Sequence, residues 1–170
     1  ILFEHSLRVG DYIELDNGLT GTVKAINVRS TLINTNDNID IVVPNSEFVS
    51  TRLTNWTLQE GTLRMRIPFG VAYGSDKEIV KKAALEAAQE VKYTLTHTRS
   101  RETDVWLTEF GDSSINFKLR FWIIDPQDGL TNVRGKVLLA LWDTFKEHGI
   151  KIPYPHREVI VKTPVNVVSD

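Results

Sequence analysis

The stretch DIVVPNSEFVSTRLTN, Asp40 to Asn55, decides the first half of the fold. It places a run of β-branched residues before a Pro-Asn pair and then returns to a strand-like pattern. Because proline has no N–H to donate to a β-ladder, Pro44 is expected to end a strand. Asn45 or Ser46 is then expected to cap a single helical turn through Phe48. The stretch therefore predicts two strands separated by one short turn of helix.

Short alternating runs of apolar and polar residues fill the chain from Val9 to Asn55. They are YIEL, GTVKAI, STLINT, IDIVV and STRLTN. The segments Asp16-Asn17-Gly18 and Asn36-Asp37-Asn38 have the residue types that adopt positive φ in tight hairpins. Five short strands joined by such turns favour a small all-β barrel of the SH3-like or Sm-like kind.

A polar connector, TLQEG at 57–61, is the predicted domain boundary. The following TLRMRIPFGVAYG alternates with period two, which indicates a strand. Ser75 and Glu78 then form a capping box, so we expect a helix to begin there. The apolar residues of that helix share one predicted face: Ile79, Val80, Ala83, Ala84, Ala87 and Val91.

Two further strands, DVWLTEFG and SSINFKLRFWII, meet at a predicted hairpin turn, Gly111-Asp112. A second amphipathic helix is predicted to end at Gly149 and to bury one apolar face: Val133, Val137, Leu138, Leu141, Trp142 and Phe145. The order β-α-β-β-α favours a ferredoxin-like α+β sandwich. The last strand, EVIVKTPVNVV, contains Pro164 and follows IPYPHRE, so we expect it to leave the domain body.

Composition excludes several classes of function. The formal net charge is -2, which argues against strong nonspecific binding of nucleic acid. The absence of cysteine excludes disulfides, thiolate catalysis and thiolate metal sites. No apolar run approaches the roughly 20 residues of a spanning helix. The chain opens with ILFEHSLRVGDY and not with methionine. We therefore expect it to be part of a larger protein, and a membrane protein is one of the options.

The sequence contains no convincing catalytic, cofactor or metal site. The histidines, His5, His97, His148 and His156, lack the close spacing of zinc motifs, and solvated or packing roles are favoured. The tryptophans offer an alternative, a stacking platform for nucleic acid, but Trp122 and Trp142 are expected in the core. Trp56, beside the connector, is expected to pack between two domains. Arg64 and Arg66 share a strand face and favour solvated or intersubunit pairs.

Six motifs, in order along nearly the whole chain, carry a resemblance to a known family. They are RVGDYIEL at 8–15, GTVKAINVRSTLINTND at 21–37, VVPNSEFVSTRLTN at 42–55, GVAYGSD at 70–76, GDSSINFKLRFW at 111–122 and GIKIPYP at 149–155. Together they resemble the cytoplasmic region of the small-conductance mechanosensitive channel (MscS) family.

The resemblance implies a domain plan and a location. Residues 1–8 would be the end of the pore-lining helix and a linker, 9–56 the β domain, 57–156 the α/β domain and 157–170 the strand of an intersubunit parallel β-barrel. The whole protein would lie in the inner (plasma) membrane, with this soluble region on the cytoplasmic side. Its partners would be copies of itself, in a homoheptamer, and the membrane, reached through transmembrane helices absent from this chain.

The resemblance also implies a function without catalysis, cofactor or metal. The channel would open under membrane tension and release ions and small osmolytes on hypo-osmotic shock, and this region would form a vestibule that filters solutes by size and charge. A ring of such terminal strands would pair every backbone group that a lone strand leaves unpaired.

Ten residues are expected at subunit interfaces or portals. Gly10 and Asp11 would set the membrane-side start of the barrel, and Arg8 would meet headgroups or a neighbouring helix. Pro44, Asn45 and Phe48 would shape a turn facing the next subunit or a portal. Trp56 would lie between the domains. The remaining three would stiffen the lead into the basal barrel: Pro153, Tyr154 and Pro155.

The alternative function is a soluble, oligomeric Sm-like module that binds RNA. Such a barrel needs a basic, aromatic face. Residues 9–56 instead carry more acidic than basic side chains: Asp11, Glu14, Asp16, Asp37, Asp40 and Glu47 against Lys24, Arg29 and Arg52. This balance disfavours RNA binding. An enzyme ranks third, because no convergent set of nucleophile, base and stabilising group is visible.

Overall fold

The computed structural model describes residues 7–58, 62–92, 94, 101–124 and 130–162. The elements, in chain order, are β1 (Tyr12–Leu15), β2 (Thr20–Ile26), β3 (Ser30–Asn34), β4 (Asp40–Pro44), α1 (Asn45–Ser50), β5 (Leu53–Asn55), β6 (Thr62–Val71), α2 (Lys77–Glu90), β7 (Asp104–Phe110), β8 (Ile115–Ile124) and α3 (Leu130–Glu147). They form two sheets, one of five strands and one of three.

The first five strands form one antiparallel sheet in the order β4-β3-β2-β1-β5. Each predicted strand is present, and both predicted turns contain a residue with positive φ, Gly18 at 84° and Asn38 at 60°. The register shifts between Val23 and Ala25, which marks a bulge in β2. The buried side chains of this sheet form one cluster: Leu7, Ile13, Leu15, Val23, Ile33 and Val43.

The short helix α1 follows β4 directly, and Pro44 is the last residue of that strand, as predicted. The predicted cap is wrong, because Pro44 holds the N-cap position and no side chain caps the helix. The Asn45 side chain bonds elsewhere: Nδ2 donates to the carbonyl of Asn27 at 2.9 Å, and Oδ1 accepts from Thr31 Oγ1 at 2.9 Å. Asn45 therefore anchors the helix to the loop between β2 and β3.

The second sheet has the order β6-β8-β7, and all its pairs are antiparallel. Its inner face is covered by α2 and α3, which also contact each other. Along β8, buried residues alternate with partly exposed ones, as a sheet covered on one face requires. The buried β8 side chains are Phe117, Leu119, Phe121 and Ile123.

Helix α2 begins one residue later than the capping-box prediction. Asp76 is the N-cap, and its side chain accepts from the backbone N–H groups of Glu78 and Ile79. The predicted apolar face is correct except at Ile79, which is exposed because it lies one residue, about 100° of helix, before Val80. The buried residues are Val80, Ala83, Ala84, Ala87 and Ala88.

Helix α3 buries four of its six predicted core residues, Val133, Val137, Leu141 and Phe145, which recur at every fourth position. Leu138 and Trp142 were expected in the same core, and that prediction is wrong, since the Trp142 side chain is 64% exposed. Each follows a buried residue by one position, which rotates it about 100° away from the sheet. With Leu139, which is also exposed, three large apolar side chains among the described residues of α3 therefore remain on its outer surface.

The C-terminus of α3 has the predicted glycine. Gly149 has φ of 66°, its N–H donates to the Lys146 carbonyl at 3.3 Å, and the Ile150 N–H donates to the Phe145 carbonyl at 2.8 Å. This pair of bonds is a Schellman motif, which satisfies carbonyls that the helix leaves without partners.

The predicted last strand is not formed in this single chain as far as Lys162. Residues 151–162 have no regular secondary structure, and the rest of the predicted strand, with Pro164, lies outside the described residues. Two bonds hold the start of this segment: Ala72 N–H donates to the Lys151 carbonyl at 2.9 Å, and His156 N–H donates to Ser113 Oγ at 3.0 Å. None of the three helices in the described ranges has the length and apolar content to cross a membrane.

Candidate functional site

The first group of predicted site residues lies in the turn that leads into β1. Gly10 has φ of 95°, which glycine adopts without strain, and Arg8 is exposed. Asp11 is only 8% exposed, and its carboxylate accepts from the Arg8 N–H at 2.8 Å, Asn55 Nδ2 at 2.7 Å and Thr57 Oγ1 at 3.3 Å. Asp11 therefore joins the start of β1 to the end of β5.

The second group surrounds α1. Pro44 is exposed, while Asn45 and Phe48 are half-buried. Phe48 packs against the core of the first sheet, so its ring faces inward. The next residue, Val49, is 61% exposed and was not a predicted site residue. Of these three predicted residues, only Pro44 is exposed, whereas Asn45 and Phe48 hold the turn in place.

Trp56 follows β5 and is half-buried. Its backbone N–H donates to the Tyr12 carbonyl at 2.9 Å, which extends the pairing of β1 with β5 by one bond. Its indole N–H is buried and has no hydrogen-bond partner among the described residues. A buried indole N–H normally has an acceptor, so the atom is a polar group that a neighbouring segment could satisfy.

The third group lies in the segment that follows α3. Pro153 is half-buried, Pro155 is exposed, and Tyr154 is 87% exposed. Beyond them the segment continues with three exposed apolar residues: Val159, Ile160 and Val161. The structure thus leaves an apolar sequence uncovered along this segment.

An apolar groove of about 590 Å³ lies between α3 and β6. Its lining residues are Phe69, Gly70, Gly135, Leu138, Leu139, Leu141, Trp142, Phe145 and Ile152. A neighbouring recess of about 400 Å³ shares Trp142 and Ile152 and extends to Pro153 and Tyr154. Together they form a continuous apolar surface, here called the α3 groove. Leu139 was not among the predicted site residues, although its position outside the buried stripe of the helix is visible in the sequence.

The histidines in the described residues are not gathered into one site. His148 Nε2 lies 2.7 Å from Glu86 Oε2 and so links the end of α3 to α2, while His156 is exposed. His5 and His97 lie outside the described residues. Within the described part of the chain, no three metal-ligating side chains come together.

The expectation that Trp122 lies in the core is also wrong. It is half-buried on the outer face of the second sheet, where the Arg64 and Arg101 guanidinium carbons lie 5.7 and 5.4 Å from its ring centroid. Alternation with period two along β8 places Trp122 on the same face of the sheet as Lys118 and Arg120. This alternation was visible in the sequence and indicated the outer position of Trp122.

Two models of one protein family match consecutive parts of the chain. The model described as "Mechanosensitive ion channel, beta-domain" matches residues 1–58. The model described as "Mechanosensitive ion channel MscS, C-terminal" matches residues 65–152, more than half of the chain. The chain belongs to the MscS family of mechanosensitive ion channels. The resemblance inferred from six motifs is therefore confirmed.

Curated MscS-family relatives are similar over most of this chain. The mechanosensitive channel MscK of Escherichia coli is 38% identical over 75% of the chain, which covers 11% of that protein. An MscS family protein of Haemophilus influenzae is 33% identical over 95% of the chain and 14% of its own length. The chain spans between 11% and 57% of the first four curated relatives that it matches.

Two solved structures share the fold of this chain. The crystal structure of Helicobacter pylori MscS in the closed state matches with a TM-score of 0.79 at 28% identity, over 96% of this chain and 62% of that one. The structure of MSL1 from Arabidopsis thaliana matches with a TM-score of 0.62 at 18% identity, over 89% of this chain and 54% of that one, which shows a shared fold alone.

Proposed function

We propose that this chain is the cytoplasmic vestibule domain of an ion channel that membrane tension opens. The observation that carries the proposal is the pair of family matches, β domain and MscS C-terminal domain, in the same order along one chain. Relatives named mechanosensitive channels, MscK and MscM, support it. The whole protein would lie in the inner membrane, with this region on the cytoplasmic side, and would release ions and small osmolytes on hypo-osmotic shock.

The proposed domain plan keeps the boundaries 1–8, 9–56, 57–156 and 157–170. The five-stranded meander, with β5 beside β1, supports an Sm-like barrel for the second segment. In the third, the order β6-β8-β7 fits three strands of a ferredoxin-like sheet. The bond from Ala72 to Lys151 lies at the free edge of β6, where the fourth strand of that fold would pair.

The proposed assembly is a ring of identical subunits, a homoheptamer, and the α3 groove is its subunit contact. Monomeric proteins rarely leave large contiguous apolar surfaces uncovered. The α3 groove leaves Leu139 and Trp142 exposed, and the segment after it exposes Val159, Ile160 and Val161. A second copy of the same chain supplies both apolar surfaces, the α3 groove and the terminal segment. Parallel pairing of the terminal segments of neighbouring copies would satisfy their backbone hydrogen-bonding groups.

The proposed role is conduction without catalysis, cofactor or metal, and without a nucleic-acid partner. A vestibule needs a wall, openings between subunits and charges that select solutes, and these are properties of the assembled ring. Pro44 and Tyr154 are exposed and would face the neighbouring subunit or a portal. Arg8 would meet the membrane side.

The channel activity is tested by patch recording under graded suction. The complete gene that encodes this chain is expressed in cells that lack their own mechanosensitive channels. Openings are expected above a threshold of tension, because force on the membrane helices would shift the closed-open equilibrium. Verified membrane insertion without any tension-dependent opening would contradict the proposal.

Charge introduced into the α3 groove is expected to break the ring. Leu139→Asp would bury a carboxylate in each apolar subunit contact, and burial of an unpaired charge is strongly unfavourable. The measurement is the subunit number of the purified complete channel by native mass spectrometry. Ile39→Asp is the matched control, because Ile39 is 56% exposed, lies in the turn between β3 and β4 at the opposite end of β4 from Pro44, and is not part of the groove lining.

Deletion of Val159 to Asp170 tests the terminal segment separately and is also expected to reduce the subunit number. Assembly that survives both Leu139→Asp and the deletion would contradict the proposed contacts, even if tension still opens the channel.

A further inference from the structure

The outer face of the second sheet, the face opposite α2 and α3, carries a concentrated positive charge. Alternation along the strands places Arg64 and Arg66 of β6, Lys118 and Arg120 of β8, and two tryptophans on it. Cross-strand register aligns them in three rows: Arg64 with Trp122, Arg66 with Arg120, and Lys118 with both Pro68 and Trp106. With Arg101 above Trp122, five cationic side chains share this basic face.

Most of these charges are not neutralised within the described residues. Asp104 is engaged by Arg120, whose Nε donates to it at 2.9 Å while a second guanidinium nitrogen bonds its other oxygen. Glu109 accepts from the side chain of Asn116 at 3.1 Å. Among the described residues, no ion pair involves Arg64, Arg66 or Lys118. A chain with net charge -2 therefore has a locally positive surface.

The tryptophans hold the guanidinium groups in defined positions. The Arg64 and Arg101 carbons lie 5.7 and 5.4 Å from the Trp122 centroid, and the Arg120 carbon lies 4.2 Å from the Trp106 centroid. A guanidinium that stacks on a ring by its flat face keeps its N–H edge available for hydrogen bonds. At Arg120 that edge is already bonded to Asp104. Ordered donors lose less side-chain entropy when they bind a ligand.

We propose that this basic face binds small polyvalent anions whose charge is carried by phosphate or carboxylate groups. Arg66 lies directly opposite Arg120, whose charge Asp104 already offsets. The cations that remain for a ligand are therefore Arg64, Arg66 and Lys118, which have no ion pair among the described residues. Guanidinium edges match the geometry of phosphate and carboxylate oxygens. The α3 groove lies on the helix side of the sheet and shares no lining residue with the basic face. The proposal does not depend on tension gating.

Isothermal titration calorimetry of the purified complete protein in detergent, at low ionic strength, tests the proposal. The probes are pyrophosphate and succinate, and the tighter one tells whether phosphate or carboxylate is the preferred group. Saturable binding is expected in the parent protein. Arg64→Gln together with Arg66→Gln is expected to weaken it at least about tenfold, because two charged donors are lost.

The matched control is Lys77→Gln together with Lys82→Gln, which removes the same charge from the exposed side of α2 and is expected to change the affinity less than about twofold. Lys118→Gln gives a second variant should the arginine pair disturb folding. Equal losses of binding affinity in the test and control variants would overturn the proposal. An absence of saturable binding in the parent protein would also overturn it. Tighter binding of an oligouridylate than of pyrophosphate would replace it with a nucleic-acid surface.

Discussion

Replacement of Phe121 by alanine is expected to lower the free energy of unfolding by about 4 kcal/mol, because the change leaves a cavity in a close-packed core. Phe121 lies on the central strand β8 opposite Met65 of β6, and its side chain is 0% exposed. It is the largest fully buried side chain among the described residues. The measurement is urea denaturation of the 170-residue chain, followed by circular dichroism.

Phe110→Ala is the matched control, since it removes the same atoms from the end of β7, where the Phe110 side chain is 71% exposed. A loss below about 1 kcal/mol is expected there, as for most surface substitutions. Equal losses of unfolding free energy in Phe121→Ala and Phe110→Ala would contradict the packing of the second sheet against α2 and α3.

Asp11→Ala is expected to lower the stability of the first sheet by about 3 kcal/mol. The buried carboxylate accepts three hydrogen bonds, and its removal leaves the Arg8 N–H, Asn55 and Thr57 without that acceptor. Each buried donor that loses its acceptor costs about 1 to 3 kcal/mol. Because water can reach part of this site, the expected total is near the lower end of the sum for three donors. Hydrogen exchange of the β5 amides should show the loss most directly, because β5 is the strand that these bonds attach.

Asp37→Ala is the control for this prediction, because Asp37 is an exposed carboxylate in the turn between β3 and β4. It should leave the exchange of β5 unchanged. Accelerated exchange in both variants would show that net charge, and not the Asp11 hydrogen bonds, stabilises this edge. Unchanged exchange in Asp11→Ala would remove Asp11 as the link between β1 and β5.

Local chemistry was sufficient to predict the elements from β1 to α3 and their order, while the last predicted strand is not formed as far as Lys162. Gly18 and Asn38 mark turns because positive φ is tolerated there, and Gly149 marks the end of α3 for the same reason. The order of strands and helices follows from alternation with period two and from apolar spacing near 3.6 residues. The family followed from the order of six motifs. These signals are short in range, so the sequence contains them in full.

The candidate site was predicted less well, since its residues depend on distant partners. Asn45 was expected to cap α1, but its side chain reaches the loop between β2 and β3, a contact that local sequence does not specify. Asp11 was expected to set the membrane-side start of the barrel, but its hydrogen bonds to Asn55 and Thr57 come from residues distant in sequence and were not predicted. Trp142 was expected in the core because it is apolar, but a helix that packs on one side leaves other apolar residues outside.

The sequence by itself determined the elements, their order and the family, because turns, caps and periodicity act over a few neighbouring residues. The tertiary structure alone decided which apolar side chains remain exposed on the surface and which charged side chains lie close together. The α3 groove combines residues of β6, α3 and the following segment, and the basic face combines residues of three strands. Both surfaces arise from pairing and packing between distant segments, and the free energy of those contacts depends on the whole fold.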